Sequence, residues 1–426
     1  MPRYHIWTIG CQMNKADSER IAVGLEQMGF RSARRLGDAD VVVLNSCVVR
    51  QSAEDRVTHK LDSLRSLGRD KVVALTGCFV GSDVDELKRR FPRVDLWFPP
   101  QDLDTFFDYL KGRGIVSRDW DAAAISARPK PSEFVNIIHG CDNFCSYCIV
   151  PYRRGREHSR PMADIVCEVE TLAARGTKEV TLLGQNVDSY GHDLPDRPAL
   201  ADLLADLNRI DGLSRIRFLT SHPKDMSDGL IAAMSLLDKV CEHLSLPLQA
   251  GDDDILKTMR RGYTVAQYKS LVERIRSAVP GVALSTDVIV GFPGESQRQF
   301  QKTYDALKEL RFDTVHIAAY SPRTGTIASR QMEDDVSPAE KVRRRKLLEG
   351  LQEGIATEIN AGLLGQTVDV LVEGHKGGRW WGRTRTDKLV FFEDEADRFG
   401  QLVDVEVTHT GPWSLQGNTL QIAIES

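Results

Sequence analysis

The sequence predicts an α/β multidomain protein with an N-terminal parallel α/β sheet domain, a partial (β/α)6 barrel and a C-terminal small antiparallel β-barrel. Two regions alternate short apolar runs with helical periodicity, which is typical of parallel sheets. Residues 361–426 instead alternate apolar and polar residues at a period of two. At 426 residues the chain is long enough for two or three domains. We expect domains at 1–115, 133–360 and 361–426, with a linker at 116–132.

Composition narrows the class of protein. The apolar fraction of 41% is sufficient for sizeable cores, and the net charge of −5 shows that the chain as a whole is not a polycation. Any contact with nucleic acid must therefore come from a local basic surface. A polar, strand-like segment follows Met1, and the sequence contains no run of about 18 apolar residues. We expect a soluble cytoplasmic protein with no membrane partner.

The first domain is predicted from apolar runs separated by helical patterns. Between the first two runs, Ile21, Leu25 and Met28 recur at helical spacing, and Gly29 is a helix stop signal. The predicted strands are Tyr4–Thr8, Val41–Leu44, Val72–Leu75 and, more weakly, Leu96–Phe98. This order predicts a parallel sheet.

A cysteine follows each of the first three predicted strands: Cys11, Cys47 and Cys78. Because the carboxyl ends of parallel strands lie on one edge, we expect the three thiols to converge there. Gly10 and Gly77 directly precede two of them and would allow the backbone to turn tightly around a bulky ligand. The alternative is that all three are small buried packing residues.

The second domain is predicted from six repeats of strand and helix. Before it, residues 116–132 lose periodicity and end in a proline-rich stretch, which is typical of a linker. The predicted strands are Phe134–Ile138, Val180–Leu183, Ile216–Leu219, Leu244–Leu248, Leu284–Val290 and Val315–Ala319. Active sites of such barrels are built from loops at the carboxyl ends of the strands.

The loop after the first barrel strand carries Cys141, Cys145 and Cys148 at the spacing C-x3-C-x2-C. Three thiolates on one short loop suit a [4Fe–4S] cluster and leave its fourth iron without a protein ligand. S-adenosylmethionine could bind that iron through its amine and carboxylate. Reduction of the cluster would then cleave the sulfonium and give a 5′-deoxyadenosyl radical.

Further residues of these loops are predicted to hold the cofactor, although ordinary packing or turn roles remain open for them. The aromatic pair inside the cysteine loop would shield the cluster and the adenine. Gln185 and Asn186 would supply amide groups, and the glycines would allow close approach of the backbone. The predicted cofactor-binding residues are Phe144, Tyr147, Gly184, Gln185, Asn186, Asp287 and Gly291. We assign Cys167, on the core face of a predicted helix, and Cys241 to packing, and we assign no catalytic residue beyond the cluster ligands.

The C-terminal part begins with a long predicted helix over residues 338–363, opened by Ser337 and Pro338. Its basic run 341–346 is expected to be a solvated helix face, with an RNA-facing stripe as the alternative. Alternating valines at 368–372 and 403–407, and apolar residues at 420–424, predict barrel strands. The segment His375–Lys388 mixes basic residues with two tryptophans, a pattern that suits phosphate contact and base stacking, although an exposed hairpin without a ligand remains the alternative.

The cysteine loop closely resembles the radical S-adenosylmethionine methylthiotransferases, as do Thr8–Asn14, Asn45–Cys47 and Thr76–Cys78. Gln185–Gly191, Asp287–Glu295 and Ser321–Thr326 are similar to the branch called MiaB. The resemblance covers the whole chain. It implies a methylthiotransferase domain, a radical SAM barrel and an OB-like TRAM barrel that binds RNA.

The resemblance further implies two [4Fe–4S] clusters. One would be held by Cys141, Cys145 and Cys148, and an auxiliary cluster that carries the sulfur would be held by Cys11, Cys47 and Cys78. The implied reaction inserts sulfur at C2 of N6-dimethylallyladenosine at position 37, in the tRNA anticodon stem-loop, and methylates it. It also implies a low-potential electron donor such as flavodoxin or ferredoxin.

Other functions remain as alternatives. The methylthiotransferases also include branches that act on threonylcarbamoyladenosine in tRNA or on an aspartate of a ribosomal protein; the latter typically has Gly-Cys-Pro-Lys-Asn where this chain has Gly10–Asn14. The alternative from a different functional class is a non-catalytic RNA-binding protein, in which iron–sulfur or zinc sites only hold the domains together.

Overall fold

The computed structural model describes residues 1–47, 51–80, 84–100, 102–115 and 130–420. The chain forms two compact units. The first unit comprises residues 1–127, 139–158 and 323–330, and the second comprises 128–138, 159–322 and 331–426. The cysteine loop thus belongs to the same unit as the N-terminal sheet. Among the described residues, no helix is long and apolar enough to cross a membrane.

The N-terminal sheet is parallel, with the strand order β2-β1-β3-β4-β5. Its elements are β1 (Arg3–Thr8), α1 (Gln12–Gln27), β2 (Arg31–Ser32), β3 (Val41–Ser46), α2 (Gln51–Ser63), β4 (Val72–Gly77), α3 (Val84–Arg90), β5 (Leu96–Trp97) and α4 (Leu103–Gly112). The four predicted strands are confirmed. Strand β2 was not predicted, because its two exposed polar residues have no apolar signal.

The core of this sheet explains why β3 and β4 are continuous apolar runs. Both strands are buried along their whole length, since helices cover both faces of the sheet. Val41 and Val43 pack on one face with Ile21 of α1, whereas Val42 and Leu44 pack on the other face with Leu61 of α2. The buried faces hold the strand ends, and with them the cysteines, in place.

Gly77 occupies a position that requires glycine. Its φ is +94°, and an added Cβ would lie 2.2 Å from the carbonyl oxygen of Ser46. We expect Gly77→Ala to lower the free energy of unfolding of the metal-free protein by about 3 kcal/mol. Gly29→Ala is the matched control, because Gly29 has a φ of +89° but nothing within 4 Å of an added Cβ. It should cost about 1 kcal/mol. Equal thermal midpoints for the two variants would contradict the steric argument.

The barrel strands of the second unit form two parallel groups of three, β6-β9-β10 and β11-β12-β13. A parallel bridge from Ile216 to Val240 joins them, so the six predicted strands form a partial barrel. The elements from the second unit's first strand onward are β6 (Ser132–Asn136), β7 (Ile138–His139), α5 (Val150–Arg154), β8 (His158–Ser159), α6 (Met162–Ala174), β9 (Glu179–Leu183), α7 (Leu200–Asn208), β10 (Arg215–Phe218), α8 (Asp228–Leu236), β11 (His243–Ser245), α9 (Asp253–Thr258), α10 (Val265–Ala278), β12 (Ala283–Val290), α11 (Gln297–Leu310), β13 (Thr314–Ala319), α12 (Ile327–Gln331) and α13 (Pro338–Ala361).

The C-terminal strands close into the predicted small barrel, in the order β14-β15-β16-β18-β17. They are β14 (Thr367–Lys376), β15 (Arg379–Thr384), β16 (Leu389–Glu393), β17 (Leu402–Thr410) and β18 (Leu415–Thr419). The pairs are antiparallel except β16 with β18, which is parallel. Alternate valines of β14 and β17 fill the core, as predicted. Leu420 follows the last strand and is exposed, and residues 422 and 424 lie outside the described residues.

The predicted long helix is confirmed as α13, and the Ser337 side chain caps it by accepting the backbone N–H of Glu340. The predicted linker lies outside the described residues from 116 to 129, and β6 begins at Ser132. The domain boundaries at 115, 132 and 360 stay predictions.

Candidate metal centre

The cysteines Cys11, Cys47 and Cys78 come together at the carboxyl edge of the N-terminal sheet. They follow β1, β3 and β4, respectively. Cys47 and Cys78 are buried, whereas Cys11 is exposed at the start of α1. Cys47 and Cys78 are hydrogen-bonded to each other, and a Cβ added at Gly10 would lie 2.8 Å from the Cβ of Cys47. The predicted convergence of the strand ends is therefore present.

Two buried asparagines, for which no role was predicted, organise this edge. Asn14 Oδ1 accepts a hydrogen bond from the Cys11 thiol at 3.3 Å. The Asn14 amide donates to Asn45 Oδ1 at 2.9 Å, and the Asn45 amide donates to the Asn14 carbonyl oxygen at 2.7 Å. The sequence does contain a signal for this role, because Asn14 lies three positions after Cys11 and Asn45 lies two positions before Cys47. Such reciprocal bonds hold the loops that carry the thiols.

The loop triad, Cys141, Cys145 and Cys148, lies on a tightly turned loop. Cys145 is buried, and Cys141 and Cys148 are half-buried. The Cys148 N–H donates to the Cys145 carbonyl oxygen at 3.0 Å, and the Cys141 N–H donates to the Gly155 carbonyl oxygen at 3.2 Å. Burial raises the pKa of the Cys141 thiol to about 11. Because a metal ligand must be a thiolate, binding of a cluster here would release this proton.

The aromatic residues of this loop pack against it. Phe144 has a φ of +44°, and its ring meets the ring of Tyr152 edge-on at 5.9 Å. The Arg156 guanidinium lies 5.4 Å from the centre of the Phe144 ring. Tyr147 is half-buried. The shielding role of Phe144 and Tyr147 stays a prediction.

The loop and the sheet edge meet within the first unit through α5. Ile149 and Tyr152 join the apolar cluster beneath β3 and β4. Arg154 is buried, and its Nε–H donates to the sulfur of Cys78 at 3.2 Å, while Nη2 lies 3.4 Å from Asp17. The hydrogen bond from Cys47 and the Arg154 charge hold the pKa of the Cys78 thiol below its usual value. Burial raises the pKa of Asp17 to about 6 despite the Arg154 charge.

Both triads offer thiols, which are the usual ligands of iron–sulfur clusters. Within the described ranges, no three Cys, His, Asp or Glu side chains lie close enough together to hold one ion. A [4Fe–4S] cluster is bound through several irons, so its thiolates are spread farther apart than those of a tetrahedral zinc site. The lowered pKa of the Cys78 thiol favours the thiolate, which is the form that binds a cluster.

The two remaining cysteines differ. Cys241 is buried, and burial raises the pKa of its thiol to about 11, which agrees with a packing role. The prediction that Cys167 lies on the core face of a helix is wrong, because Cys167 is exposed on α6. This helix buries Ile165 and Val169. Residue 167 is two positions from each of them, and therefore lies on the opposite face.

The cofactor-binding residues predicted in the second unit lie at strand ends. Asn186 is buried after β9, and its amide donates to Asp225 at 2.8 Å. A Cβ added at Gly184 would lie 2.4 Å from the Ile138 side chain, so this glycine permits close packing. Gln185 is half-buried beside it. Their role toward a cofactor stays a prediction.

The other two predicted residues lie in and after β12. Asp287 is half-buried in the strand. Gly291 has a φ of +68°, and its N–H donates to Glu295 at 2.6 Å. A Cβ at this position would lie 2.4 Å from the Lys341 side chain, so glycine is required here by the turn and by its packing. A cofactor role for both residues stays a prediction.

The basic run of α13 is only partly the predicted solvated face, since Arg343 and Lys346 are exposed but two other cations of the run are not. Lys341 and Arg344 are buried, with Lys341 paired to Asp334 and Arg344 to Glu295 at 2.7 Å. Arg343 pairs with Glu340 at 2.7 Å. Both predictions for this run, the solvated face and the RNA-facing stripe, are therefore wrong for Lys341 and Arg344. Their acidic partners are Asp334, seven residues before Lys341, and Glu295, 49 residues before Arg344.

The basic segment of the C-terminal barrel likewise contains both cations paired with acidic residues and cations that are exposed. Arg385 binds Glu242 through two hydrogen bonds of 2.8 Å, and Lys388 binds Asp313 at 2.6 Å. These two cations attach the small barrel to the partial barrel. Lys376 and Arg379, at the β14–β15 turn, are exposed. Only part of the predicted basic surface is thus available to a phosphate.

Arg217 is central to this attachment. It is buried, pairs with Glu179 at 2.8 Å and donates to the carbonyl oxygen of Thr384 at 2.5 Å. We expect Arg217→Ala to lower the free energy of unfolding by about 3–5 kcal/mol, because Glu179 would keep a buried charge without this partner. Arg209→Ala, which removes an exposed pair with Asp206, is the control and should cost less than about 1 kcal/mol. Similar denaturant midpoints for both variants would contradict the assignment.

Three family descriptions match successive parts of the chain: Uncharacterized protein family UPF0004 at residues 3–99, Radical SAM superfamily at 135–307, and TRAM domain at 363–420. A tRNA-2-methylthio-N(6)-dimethylallyladenosine synthase of Dehalococcoides mccartyi strain CBDB1 is 51% identical over 99% of both chains. A synthase of the same name from Chloroflexus aurantiacus is 50% identical over 97% of this chain and 91% of its own length.

Among solved structures, the radical S-adenosylmethionine methyltransferase TsrM from Kitasatospora setae, with cobalamin and a [4Fe–4S] cluster bound, has a similar fold. Its TM-score is 0.54 at 14% identity, and the match covers 77% of each chain. The full-length identity to the synthases, together with the three matched segments, decides the family. The chain belongs to the tRNA-2-methylthio-N6-dimethylallyladenosine synthases, a radical S-adenosylmethionine family of transferases.

Proposed function

We propose that this enzyme inserts sulfur at C2 of N6-dimethylallyladenosine at position 37 of tRNA and methylates that sulfur. The product is 2-methylthio-N6-dimethylallyladenosine. The observation that carries the proposal is the presence of two cysteine triads in one compact unit of a chain that is 51% identical to a synthase of this name. One triad suits radical generation and the other suits a sulfur source.

In this proposal, Cys141, Cys145 and Cys148 hold one [4Fe–4S] cluster, and Cys11, Cys47 and Cys78 hold a second. When bound, the first supplies an electron that cleaves S-adenosylmethionine, and the second supplies the sulfur. The protein contributes thiolates and exclusion of water. Cys47, Cys78 and Cys145 are each at most 7% exposed. A second S-adenosylmethionine donates the methyl group.

The remaining partners follow from the same reaction. The C-terminal barrel, with exposed Lys376 and Arg379 beside Trp380, is the proposed contact for the anticodon stem-loop. Phe144, Tyr147, Gly184, Gln185, Asn186, Asp287 and Gly291 are the proposed contacts for S-adenosylmethionine. A low-potential donor such as flavodoxin or ferredoxin would reduce the first cluster. A tRNA substrate implies a cytoplasmic enzyme, and the domain division at 1–115, 133–360 and 361–426 is part of this proposal.

Anaerobic reconstitution followed by assays with modified tRNA tests the function. We expect two four-iron clusters per chain, 5′-deoxyadenosine upon reduction with S-adenosylmethionine, and a methylthio group on dimethylallyl-containing tRNA. The matched controls are tRNA with unmodified adenosine at position 37 and tRNA with threonylcarbamoyladenosine. Thiolation of the latter alone would assign the chain to another branch. A protein that binds zinc, or that binds clusters but never cleaves S-adenosylmethionine, would overturn the enzyme assignment.

A further inference from the structure

A buried arginine links the two cysteine triads, and neither triad's ligand role accounts for it. Arg154 is the last residue of α5, six positions after Cys148. Its side chain is 4% exposed, and that of its partner Asp17 is fully buried. Burial of a guanidinium is costly unless its donors are used. The position of Arg154 therefore needs an explanation in terms of what it binds.

The hydrogen bonds of Arg154 account for only part of its donors. Nε donates to the Cys78 sulfur at 3.2 Å, and Nη2 lies 3.4 Å from Asp17 Oδ2. Nη1 is buried and has no hydrogen-bond partner among the described residues. A buried polar atom without a partner calls for an explanation, and a bound water, ion or other ligand is one such explanation. The guanidinium charge also acts on Cys11.

The chemistry of the neighbours indicates what this ligand is. Arg154 donates to the sulfur of Cys78 and interacts electrostatically with Cys11, and a guanidinium N–H readily donates to an anionic sulfur acceptor. The inorganic sulfides of an iron–sulfur cluster are such acceptors, and hydrogen bonds to them change its reduction potential. A donor stabilises the reduced state more than the oxidised state, because reduction adds negative charge.

We propose that Arg154 is a positioning residue for the cluster of Cys11, Cys47 and Cys78, to which it donates through Nε at Cys78 and through Nη1 at a cluster sulfide. This inference rests on the proposed function, since it presumes a second cluster. Arg154 then raises the reduction potential of that cluster. Because Arg154 is carried by the loop of the first triad, it also sets the position of that loop against the second triad.

The test is a potentiometric titration of the full-length protein with both clusters reconstituted, followed by electron paramagnetic resonance. The signal that changes upon addition of S-adenosylmethionine reports the first cluster, and the other signal reports the second. The main variant is Arg154→Met with Asp17→Asn. It removes the donor and leaves the net charge of the pair unchanged, so that no buried carboxylate is left unpaired.

We expect the ratio of reduced to oxidised second cluster at the wild-type midpoint to fall about tenfold, which corresponds to a midpoint lower by about 59 mV for one electron. Asp17→Asn alone keeps the bond to Cys78 and removes a negative charge, so its midpoint should stay or rise. Arg153→Met removes the same charge from the neighbouring residue and should shift the midpoint less. If Arg154 had a purely structural role, every midpoint would stay unchanged. A change of less than about twofold in the ratio of reduced to oxidised second cluster, measured in the double variant, would overturn the proposal.

Arg154→Lys covers the case in which the double variant loses its second cluster. Lysine keeps the charge but lacks the forked donors, so the chain should fold with a smaller decrease in midpoint. An unchanged midpoint in this variant would count against the proposal. Iron content separates the two levels of inference. One cluster per wild-type chain would refute the two-cluster function, whereas two clusters with unchanged midpoints would refute only the role of Arg154.

Discussion

The Cys47→Ala variant is expected to cleave S-adenosylmethionine but to form no methylthiolated tRNA. Cys47 belongs to the triad at the sheet edge. The three cysteines proposed to hold the first cluster lie on a different segment of the chain, so the substitution leaves all three in place. Thiolation should fall by more than about 100-fold, since loss of a ligand is more severe than loss of the groups that support ligands. Both products, 5′-deoxyadenosine and the methylthio nucleoside, are measured by mass spectrometry in the same reaction.

Cys241→Ala is the control for this variant. Cys241 is also buried, but it lies in the second unit and in neither triad. It should retain both products. If Cys47→Ala lost cleavage and thiolation to the same extent, the division of roles between the two triads would be refuted.

The Cys145→Ala variant should produce no 5′-deoxyadenosine and no thiolated tRNA. Cys145 is the buried middle cysteine of the loop, and its loss would leave two thiolates for the proposed first cluster. Iron content should fall by about half, because the sheet-edge triad is intact. Iron counting and the 5′-deoxyadenosine assay check this result.

Cys167→Ala is the matched control for the loop variant, since Cys167 is exposed on α6. Its iron content and both activities should equal those of the wild type. Persistent cleavage by Cys145→Ala would contradict the assignment of the loop to radical generation. Cleavage retained in Cys47→Ala but lost in Cys145→Ala would also exclude a protein in which the metals only stabilise the fold, because that protein would not cleave S-adenosylmethionine.

Much of the fold was predictable because its signals are local. The apolar runs of β3 and β4 have no polar interruption until their last residues, as expected for strands covered on both faces. The capped start of α13 at Ser337 was predicted from four consecutive residues. In contrast, β2 consists of two exposed polar residues and pairs with β1 only because the chain returns there.

Charged residues were predicted less well than cysteines. A run such as 341–346 has the same composition whether it faces solvent or acidic partners. Arg344 is buried against Glu295, 49 residues away, and the half-buried Arg385 pairs with Glu242, 143 residues away. The acidic partner decides whether a cation is available to RNA. A short stretch of sequence around the cation does not include that partner.

The sequence by itself determined the two cysteine triads and the order of the domains. Ligand spacing within a loop is a local property, and placement of a cysteine after each strand is sufficient to bring three of them to one sheet edge. Only the tertiary structure placed Arg154 against Cys78, 76 residues away. Only that structure left its Nη1 without a partner among the described residues. The physical reason is that burial and hydrogen-bond geometry depend on how distant segments pack, whereas ligand type and spacing do not.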